Sequence, residues 1–271
     1  MARLGPSNAV SLNDNSMTNM SFLQPLRGRG LGALWGRIWG VVQYPAIPCL
    51  LLHRRLYTAR YFRANDERKL HIGSQKHVLA DWLNTEFGPP TNWRQIYLDA
   101  RRRFPFPTDS FDYVFSEHMI EHISYENGLH MLAECNRILR PGGKLRLATP
   151  DLRQLIRAYL HEDPEAEQYV DASRDACGLP AGGNVGCHLL NTYMRSWGHL
   201  FLYDRPTLSD ALISAGFEGI TEYEPGRSTD TKLSSLECHH LNIGQASNRF
   251  ETMVVECRKA GRERRHNSAG Q

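Results

Sequence analysis

The sequence predicts an α/β fold, a doubly wound, mostly parallel sheet of about seven strands with helices on both faces. From Lys69 onward, short strand-like runs alternate with helical runs, which is the pattern of parallel strands joined by crossover helices. With 271 residues, 41% of them hydrophobic and 23% charged, the chain can form one large globular domain. This composition excludes collagenous, low-complexity and multispanning membrane proteins.

The predicted strands are short apolar or aromatic runs that end near a glycine, a proline or a polar residue. In chain order they are Lys69–Gly73, Trp82–Phe87, Trp93–Asp99, Phe111–Ser116, Lys144–Thr149, Ile220–Tyr223 and Thr252–Val255. In an open parallel sheet, ligands bind beyond the carboxyl ends of the strands, at the point where the strand order reverses. We therefore expect the functional residues at the ends of the first five strands.

Two helices of the predicted domain are defined by their apolar spacing. The first has Leu129, Leu132, Cys135 and Leu139 on its inner face, and we expect Pro141-Gly142-Gly143 to end it. The second begins at Pro206, carries Leu208, Ala211, Leu212 and Ala215 on one face, and ends at Gly216. Between them, residues 151–205 form an insertion with a Gly-rich link and an aromatic run.

Charge is distributed unevenly along the chain. Residues 1–60 carry a net charge of +6, residues 61–257 carry −7, and residues 258–271 carry +4. The acidic middle nearly coincides with the predicted domain, residues 69–257, and argues against a nucleic-acid-binding face. We expect residues 1–23 to be disordered, because they are polar and lack periodicity, and residues 258–271 to form a basic tail.

The segment 24–68 is predicted to be helical, basic and amphipathic. Its apolar face consists of Leu31, Leu34, Trp35, Ile38, Trp39 and Val42. This face suits either a peripheral contact with an anionic membrane through residues 24–60 or packing against the main domain. Pro45 and Pro48 interrupt the helix, and the 15 uncharged residues of Ile38–Leu52 are fewer than the roughly 20 that a membrane span needs.

The six cysteines indicate a reducing compartment. They lie far apart, without CxxC spacing, and the chain start lacks the apolar core of a secretory signal. We therefore expect a cytoplasmic protein, and a peripheral membrane contact is compatible with that location.

Two runs in the middle of the chain resemble a known enzyme family. They are DARRRFPFPTDSFDYVFSEHMIEHI (Asp99–Ile123) and ECNRILRPGGKLRLATPDL (Glu134–Leu152). The acid, the Pro-Phe-Pro, the Ser-Phe-Asp, the Glu-His and the Arg-x-Leu-x-Pro-Gly-Gly are similar in order and spacing to class I S-adenosylmethionine-dependent methyltransferases, especially those with a type 11 methyltransferase domain. The resemblance covers about Lys69–Cys257 and implies a Rossmann-like methyltransferase sheet. It also implies methyl transfer from S-adenosylmethionine to O or N of a small-molecule or glycan-like acceptor.

The cofactor site is predicted from strand ends and from this resemblance. Gly73 would let the backbone approach a ligand closely, and Glu86 could accept both ribose hydroxyls. By resemblance, Asp99 lies near the adenine amino group. The predicted cofactor-binding residues are Gly73, Ser74, Gln75, Glu86, Asp99, Ala100, Ser116 and Glu117.

The predicted catalytic residues are His118, His199 and His122. An O- or N-nucleophile can require a base, and these histidines follow the fourth strand or lie in the aromatic run Trp197–Tyr203. The insertion 151–205 lies where this fold commonly builds its acceptor pocket. Arg101-Arg102-Arg103 could hold an anionic acceptor or form a solvated loop.

Two alternative functions remain open at this stage. The family Gly-x-Gly appears here as Gly73-Ser74-Gln75, and the link to Trp82 is short for a helix, which would suit a catalytically idle cofactor-binding scaffold. The order His118-x-x-Glu121-His122 is that of inverzincin peptidases, and on a helix these two histidines could share zinc. Cys238-His239-His240 has no partner cluster at matching spacing, and we expect no metal ligands.

Overall fold

The computed structural model describes residues 48–88, 90–161, 163–183 and 185–261, and a single seven-stranded sheet organises them. The strands are β1 (Lys69–Ile72), β2 (Leu83–Glu86), β3 (Gln95–Tyr97), β4 (Phe111–Glu117), β5 (Leu139–Pro150), β6 (Phe217–Tyr223) and β7 (Thr252–Lys259). Their order is β3-β2-β1-β4-β5-β7-β6, and only β7 runs against its neighbours. The predicted fold class is confirmed, and the strand order reverses between β1 and β4.

Eight helices accompany the sheet in these ranges. They are α1 (48–64), α2 (Tyr125–Ile138), α3 (Leu152–Leu160), α4 (Pro164–Cys177), α5 (Gly186–Arg195), α6 (Arg205–Ser214), α7 (His240–Ile243) and α8 (Gln245–Glu251). Side chains cap several of them: Ser124 accepts from Asn127 N before α2, and Asp204 accepts from Thr207 N before α6. None of the described helices combines the length and hydrophobicity needed to cross a bilayer.

One face of the sheet carries the main apolar core. Leu70 of β1, Val114 of β4 and Leu145 of β5 are fully buried there, together with residues of α2 and α6. Helix α1 packs against the same core through the buried Tyr61. The Tyr61 hydroxyl donates a hydrogen bond to Lys69 O and accepts one from Lys69 N. The domain therefore includes part of the segment that the sequence analysis placed before it.

The opposite face of β1, β4 and β5 is covered by the segments 74–82 and 224–239, neither of which contains a helix. A small apolar cluster joins Trp82, Phe115 and Leu233. Most of the remaining contacts are polar, and His71 lies among them, with Nδ1 3.2 Å from Asn84 Oδ1. This face is held together by buried hydrogen bonds and charges more than by packed helices.

Arg146 is the centre of that polar face. Its side chain has no exposed surface, and Nε and Nη1 lie 2.5 Å from carboxylate oxygens of Glu237 and Glu256. Nη1 also donates to Arg227 O. The guanidinium group thus joins β5 and β7 to the segment 224–239, which carries no secondary structure of its own.

The Pro-Gly-Gly run does not end a helix, contrary to the prediction. Helix α2 ends at Ile138, and residues 141–143 lie within β5, where the pairing with β4 shifts between Phe111 and Tyr113. A Cβ on Gly143 would lie 2.9 Å from Arg140 O and 3.0 Å from Asp112 O. The irregular strand pairing therefore requires glycine at this position.

Several predicted features lie outside the described residues. They include the disordered tail 1–23, the apolar face of Leu31–Val42, and all but the first residues of the basic tail 258–271. The two interpretations of the amphipathic helix therefore stay predictions.

Replacing Arg146 with methionine should destabilise the domain by about 3–5 kcal/mol, because two buried carboxylates lose their counter-charge. The urea midpoint of unfolding measures this loss. Arg258→Ala is the matched control, since its ion pair with Glu218 is exposed and should contribute little. Adding Glu237→Gln and Glu256→Gln to Arg146→Met should recover part of the stability. Equal midpoints for Arg146→Met and the control would contradict this account.

Stability should fall in acid because of His71. Burial lowers the pKa of His71 from 6.5 to about 3, so between these values only the unfolded chain binds the proton. Stability then decreases as pH falls through this window, by about 1.4 kcal/mol per pH unit for this group. His71→Asn removes the titration, so its unfolding free energy, measured in urea from pH 7 to 4, should fall less steeply than that of the unmodified protein. Parallel slopes would show that His71 does not cause the acid sensitivity.

Candidate functional site

Two adjoining cavities lie at the carboxyl ends of β1 and β4. The strand-end cavity, about 250 Å³, is lined by residues that include Gly73, Glu86, Phe87, Leu98, Asp99, Ala100 and Met119. The histidine cavity, about 530 Å³, is lined by residues that include Glu121, Cys177, Tyr193, Trp197, His199, His239 and Glu251. Gln75, His118 and His122 line both. The two cavities therefore meet where the strand order reverses.

The loop after β1 is fixed by its backbone. Gly73 has φ +72°, and a Cβ there would come within 2.5 Å of the Met119 side chain. Ser74 is buried and donates to Thr85 O, so its side chain points into the sheet. Gln95 donates to Ser74 Oγ and to Gln75 O. Of these loop residues, Gly73 and Gln75 reach the strand-end cavity and Ser74 supports them.

Glu86 ends β2 beside this loop, and its carboxylate is already partly engaged. Oε2 accepts from Gln75 N at 2.7 Å, and Oε1 accepts from Phe87 N and Gly88 N. A carboxylate offers about four acceptor positions, so one remains on Oε2. The group can thus accept a hydroxyl while it fixes the loop that surrounds the cavity.

Asp99 is held by the arginines that follow it. Arg101 makes two side-chain hydrogen bonds to its carboxylate, and Arg102 Nε lies 3.3 Å away. Burial alone would raise the pKa of Asp99, but these guanidinium groups lower it below its ordinary value. Arg101 also lies over the Phe87 ring. At least two members of the arginine run are therefore partners of Asp99, although all three are exposed.

Ser116 and Glu117 do not line the strand-end cavity, contrary to the prediction. Ser116 Oγ donates to Ile72 O within the sheet. The Glu117 carboxylate accepts the backbone N–H groups of Cys238 and His239. Successive residues of a strand point to opposite faces, and here neither side chain points toward the ligand edge.

Glu121 is fully buried beside three histidines. Its Oε2 accepts from Thr149 Oγ1 at 3.0 Å, and His118 Nδ1 lies 3.2 Å from Oε1. Burial would raise the pKa of Glu121, but His118 and His122 lower it below its ordinary value. Burial would likewise lower the pKa of His118, yet Glu121 raises it. The two groups therefore stabilise each other's charged form.

His118 also contacts the second side of the histidine cavity. Its ring stacks on His239 with centroids 3.8 Å apart, and Nε2 lies 3.1 Å from Thr252 Oγ1. His239 Nε2 in turn lies 3.2 Å from Glu251 Oε1. His118 has φ +45°, a left-handed conformation that turns the chain sharply at the end of β4.

The Glu251 carboxylate accepts hydrogen bonds from tyrosine hydroxyl groups in the histidine cavity. Its Oε2 accepts from both Tyr169 and Tyr193, and the two tyrosine oxygens lie 2.6 Å apart. Burial and the Glu251 charge raise the pKa of both tyrosines well above the ordinary value. They therefore stay protonated donors across the physiological pH range.

The residues His118 to His122 do not form the α-helix on which the two histidines could have shared a zinc ion. The segment is a 3-10 turn at Ile120–His122. In the described part of the chain, His118 groups with His239 and Glu251, whereas Glu121 groups with His122 and His199. The two histidines of the H-x-x-E-H order thus belong to different clusters.

Four residues of the histidine cavity were not predicted from the sequence: His239, Glu251, Tyr169 and Tyr193. His239 lies in the noted run Cys238-His239-His240, whose neighbours do point apart, since Cys238 groups with His77 and Glu117. Its partners come from distant segments, so no local spacing could indicate them. The tyrosines and Glu251 follow ordinary helical patterns and carry no motif.

The strand-end cavity fits an adenosine group in its chemistry. It offers a free acceptor position on Glu86, the carboxylate of Asp99 and apolar side chains from Phe87, Leu98 and Ile123. Gly73 leaves its backbone accessible at the same edge. An amino group could reach Asp99 if Arg101, whose side chain is 45% exposed, moved away from the carboxylate.

Comparison with known proteins agrees with the predicted resemblance. Residues 75–147 match the family model described as a methyltransferase domain. This match begins shortly after β1 and includes β2 to β4, α2 and β5 as far as Leu147. This part of the chain is therefore similar to a methyltransferase domain, as its motifs implied.

Solved structures with a similar fold include three methyltransferases. One, from Archaeoglobus fulgidus, is 16% identical with a TM-score of 0.41, over 77% of this chain and 93% of that chain. Another, from Thermotoga maritima, is described as a possible histamine N-methyltransferase. It is 17% identical with a TM-score of 0.42, and the match covers 82% of this chain and 99% of that chain. The CurJ carbon methyltransferase is 12% identical with a TM-score of 0.39, over 72% and 49%. The chain spans about half the length of that last protein.

Proposed function

We propose that this protein transfers a methyl group from S-adenosylmethionine to an O or N atom of a small-molecule or glycan-like acceptor by in-line displacement. The observation that carries the proposal is the pair of adjoining cavities that share Gln75, His118 and His122. One cavity has the carboxylate and apolar lining that suits a nucleoside. The other has imidazoles, tyrosines and a tryptophan that suit an acceptor.

The strand-end cavity would hold the cofactor, which supplies an electrophilic methyl group on sulfur when bound. The leaving thioether needs no proton, so the main tasks of the protein are alignment and exclusion of water. Gly73, Gln75 and Ala100 would bind through close backbone approach, Glu86 through a ribose hydroxyl and Asp99 through the adenine amino group. Ser74 would act indirectly, because its side chain fixes the loop.

The histidine cavity would hold the acceptor, with residues of the insertion 151–205 forming one side of it. Tyr193 and Trp197 provide an aromatic surface, and their rings meet edge to face at 5.2 Å. His118 lies between Glu121 and Thr252, at the seam of the two cavities, and is the best placed group to take a proton from an O or N nucleophile. His122 and His199 face the same acceptor.

Membrane contact through residues 24–60 stays a prediction. Leu52 and Leu56 of α1 are exposed at 58% and 62%, next to Arg55, which would suit an anionic surface. The rest of this segment lies outside the described residues.

Isothermal calorimetry should show S-adenosylmethionine binding to the full chain, and Gly73→Asp should abolish it. The new carboxylate would enter the cavity beside Glu86 and block the close backbone approach. Gly142→Asp is the matched control, because Gly142 also has a positive φ, +80°, but no atom lies within 4 Å of a Cβ built there. It lies near the start of β5, at the opposite end of the strand from the cavities. Equal binding by both variants would refute the assigned cofactor site.

Incubation of cell extract with isotope-labelled S-adenosylmethionine and the protein, followed by untargeted mass spectrometry, identifies the acceptor. A labelled product that depends on the protein supports the transferase. Binding without any labelled product supports a catalytically idle scaffold instead.

His118→Asn should reduce the rate of label transfer by at least about 100-fold, the lower end for a lost general base. Asparagine tolerates the left-handed backbone at this position, so the turn is retained. His161→Asn is the control, because His161 also has a positive φ, 51°, and lies at the end of α3, away from both cavities. Cofactor affinity should stay within a few-fold in both variants. A rate for His118→Asn equal to the control would remove the proposed role.

A further inference from the structure

Three side chains that line the histidine cavity lie close together: Glu121, His122 and His199. One ligand atom from each lies within 4.8 Å of the others. Glu121 has no exposed surface, and its Oε1 makes no hydrogen bond of good geometry, although His118 is 3.2 Å away. A buried carboxylate oxygen without a hydrogen bond is costly, which indicates that another group satisfies it in the working protein.

The hydrogen bond of His199 to the main chain leaves its other ring nitrogen available to a ligand. Its Nδ1 lies 2.6 Å from Tyr193 O, and because a carbonyl only accepts, Nδ1 carries the proton. Nε2 is then the unprotonated nitrogen. Metal-binding histidines are usually held in this way, with the other ring N–H donated to a carbonyl or carboxylate.

The backbone also holds the three residues together. Leu200 N and Phe201 N both donate to Glu121 O, at 2.7 and 3.2 Å. The segment that carries His199 is therefore bound to the turn that carries Glu121 and His122 by main-chain contacts. These contacts do not depend on the three side chains, so the cluster is preorganised.

We propose that Glu121, His122 and His199 bind a divalent first-row transition-metal ion, with open coordination positions facing the histidine cavity. Two imidazoles and one carboxylate suit Zn²⁺, Fe²⁺, Mn²⁺ or Co²⁺. Within the described ranges this cluster has three ligand side chains, so the remaining positions could be taken by water or an acceptor atom. The site departs from the expectation of no metal ligands. It does not rest on the proposed methyl transfer, and His118 remains the candidate proton acceptor beside it.

The neighbouring cluster of His118, His239 and Glu251 is less suited to an ion. Glu251 already accepts from Tyr169 and Tyr193, and His118 Nε2 already contacts Thr252 Oγ1. Its polar atoms are largely satisfied within the protein, whereas Glu121 Oε1 is not.

The test is a titration of the metal-free full chain, freed of any tag, with Co²⁺ followed by visible absorption, and then displacement by Zn²⁺. We expect one equivalent of Co²⁺ with ligand-field bands that Zn²⁺ removes. His199→Ala and Glu121→Gln should weaken binding by more than about 100-fold, because loss of a second-shell partner alone costs 10–100-fold. His130→Ala, an exposed histidine of α2, is the control and should bind as the unmodified chain does.

Circular dichroism and the urea midpoint establish that each variant is folded, and Glu121→Gln preserves the shape of the side chain if His199→Ala does not fold. Absence of stoichiometric binding by the unmodified chain would overturn the proposal. Loss of binding in His239→Ala but not in Glu121→Gln would also overturn it and assign the ion to the other cluster. Calorimetry with S-adenosylmethionine on the same samples tests the proposed function separately. Metal binding can be absent while cofactor binding is present, and the reverse.

Discussion

The sharp turn after β4 is the constraint on which both cavities depend. His118 adopts a left-handed conformation, and the 3-10 turn that follows directs Glu121 inward and His122 toward the ligand edge. A regular helix starting at this point would have carried these side chains in one direction. Because the chain turns instead, one short segment supplies residues to two cavities. The main chain of Glu121 also binds residues 200 and 201, so the same turn positions the insertion.

The polar face of the sheet explains how His239 reaches the site without a helix to carry it. Glu117 accepts the N–H groups of Cys238 and His239, and Arg146 binds Glu237 one residue earlier. Three consecutive residues of an irregular segment are thus tied to β4 and β5. Buried charges are a weak source of net stability, but a misplaced partner is costly. Such contacts therefore specify one position for the segment more strongly than apolar packing would.

The sequence predicted the parts of the molecule that depend on local pattern. Strand positions, the order of the motifs and the ligand edge follow from periodicity and from the reversal of strand order. Gly73, Glu86 and Asp99 lie where strand ends place them. The predictions differ from the structure where side-chain direction or distant contacts determine the arrangement. Ser116 and Glu117 point away from the ligand edge of the sheet, and residues 141–143 belong to a strand. The partners of His239 come from α8 and from the turn after β4, 12 and 121 residues away, which no spacing rule reaches.

The place where the two cavities meet limits where the proposed methyl transfer can occur. In-line displacement needs donor, methyl group and nucleophile on one line, so both reactants must be within reach of the same residues. Among the residues that the structure describes, only Gln75, His118 and His122 line both cavities. Gln75 is fixed by Glu86 through its N–H and by Gln95 through its carbonyl, while His118 and His122 are fixed by the turn after β4. The line of attack would therefore pass between two rigid backbone segments, and the acceptor would be selected by the more exposed walls contributed by the insertion.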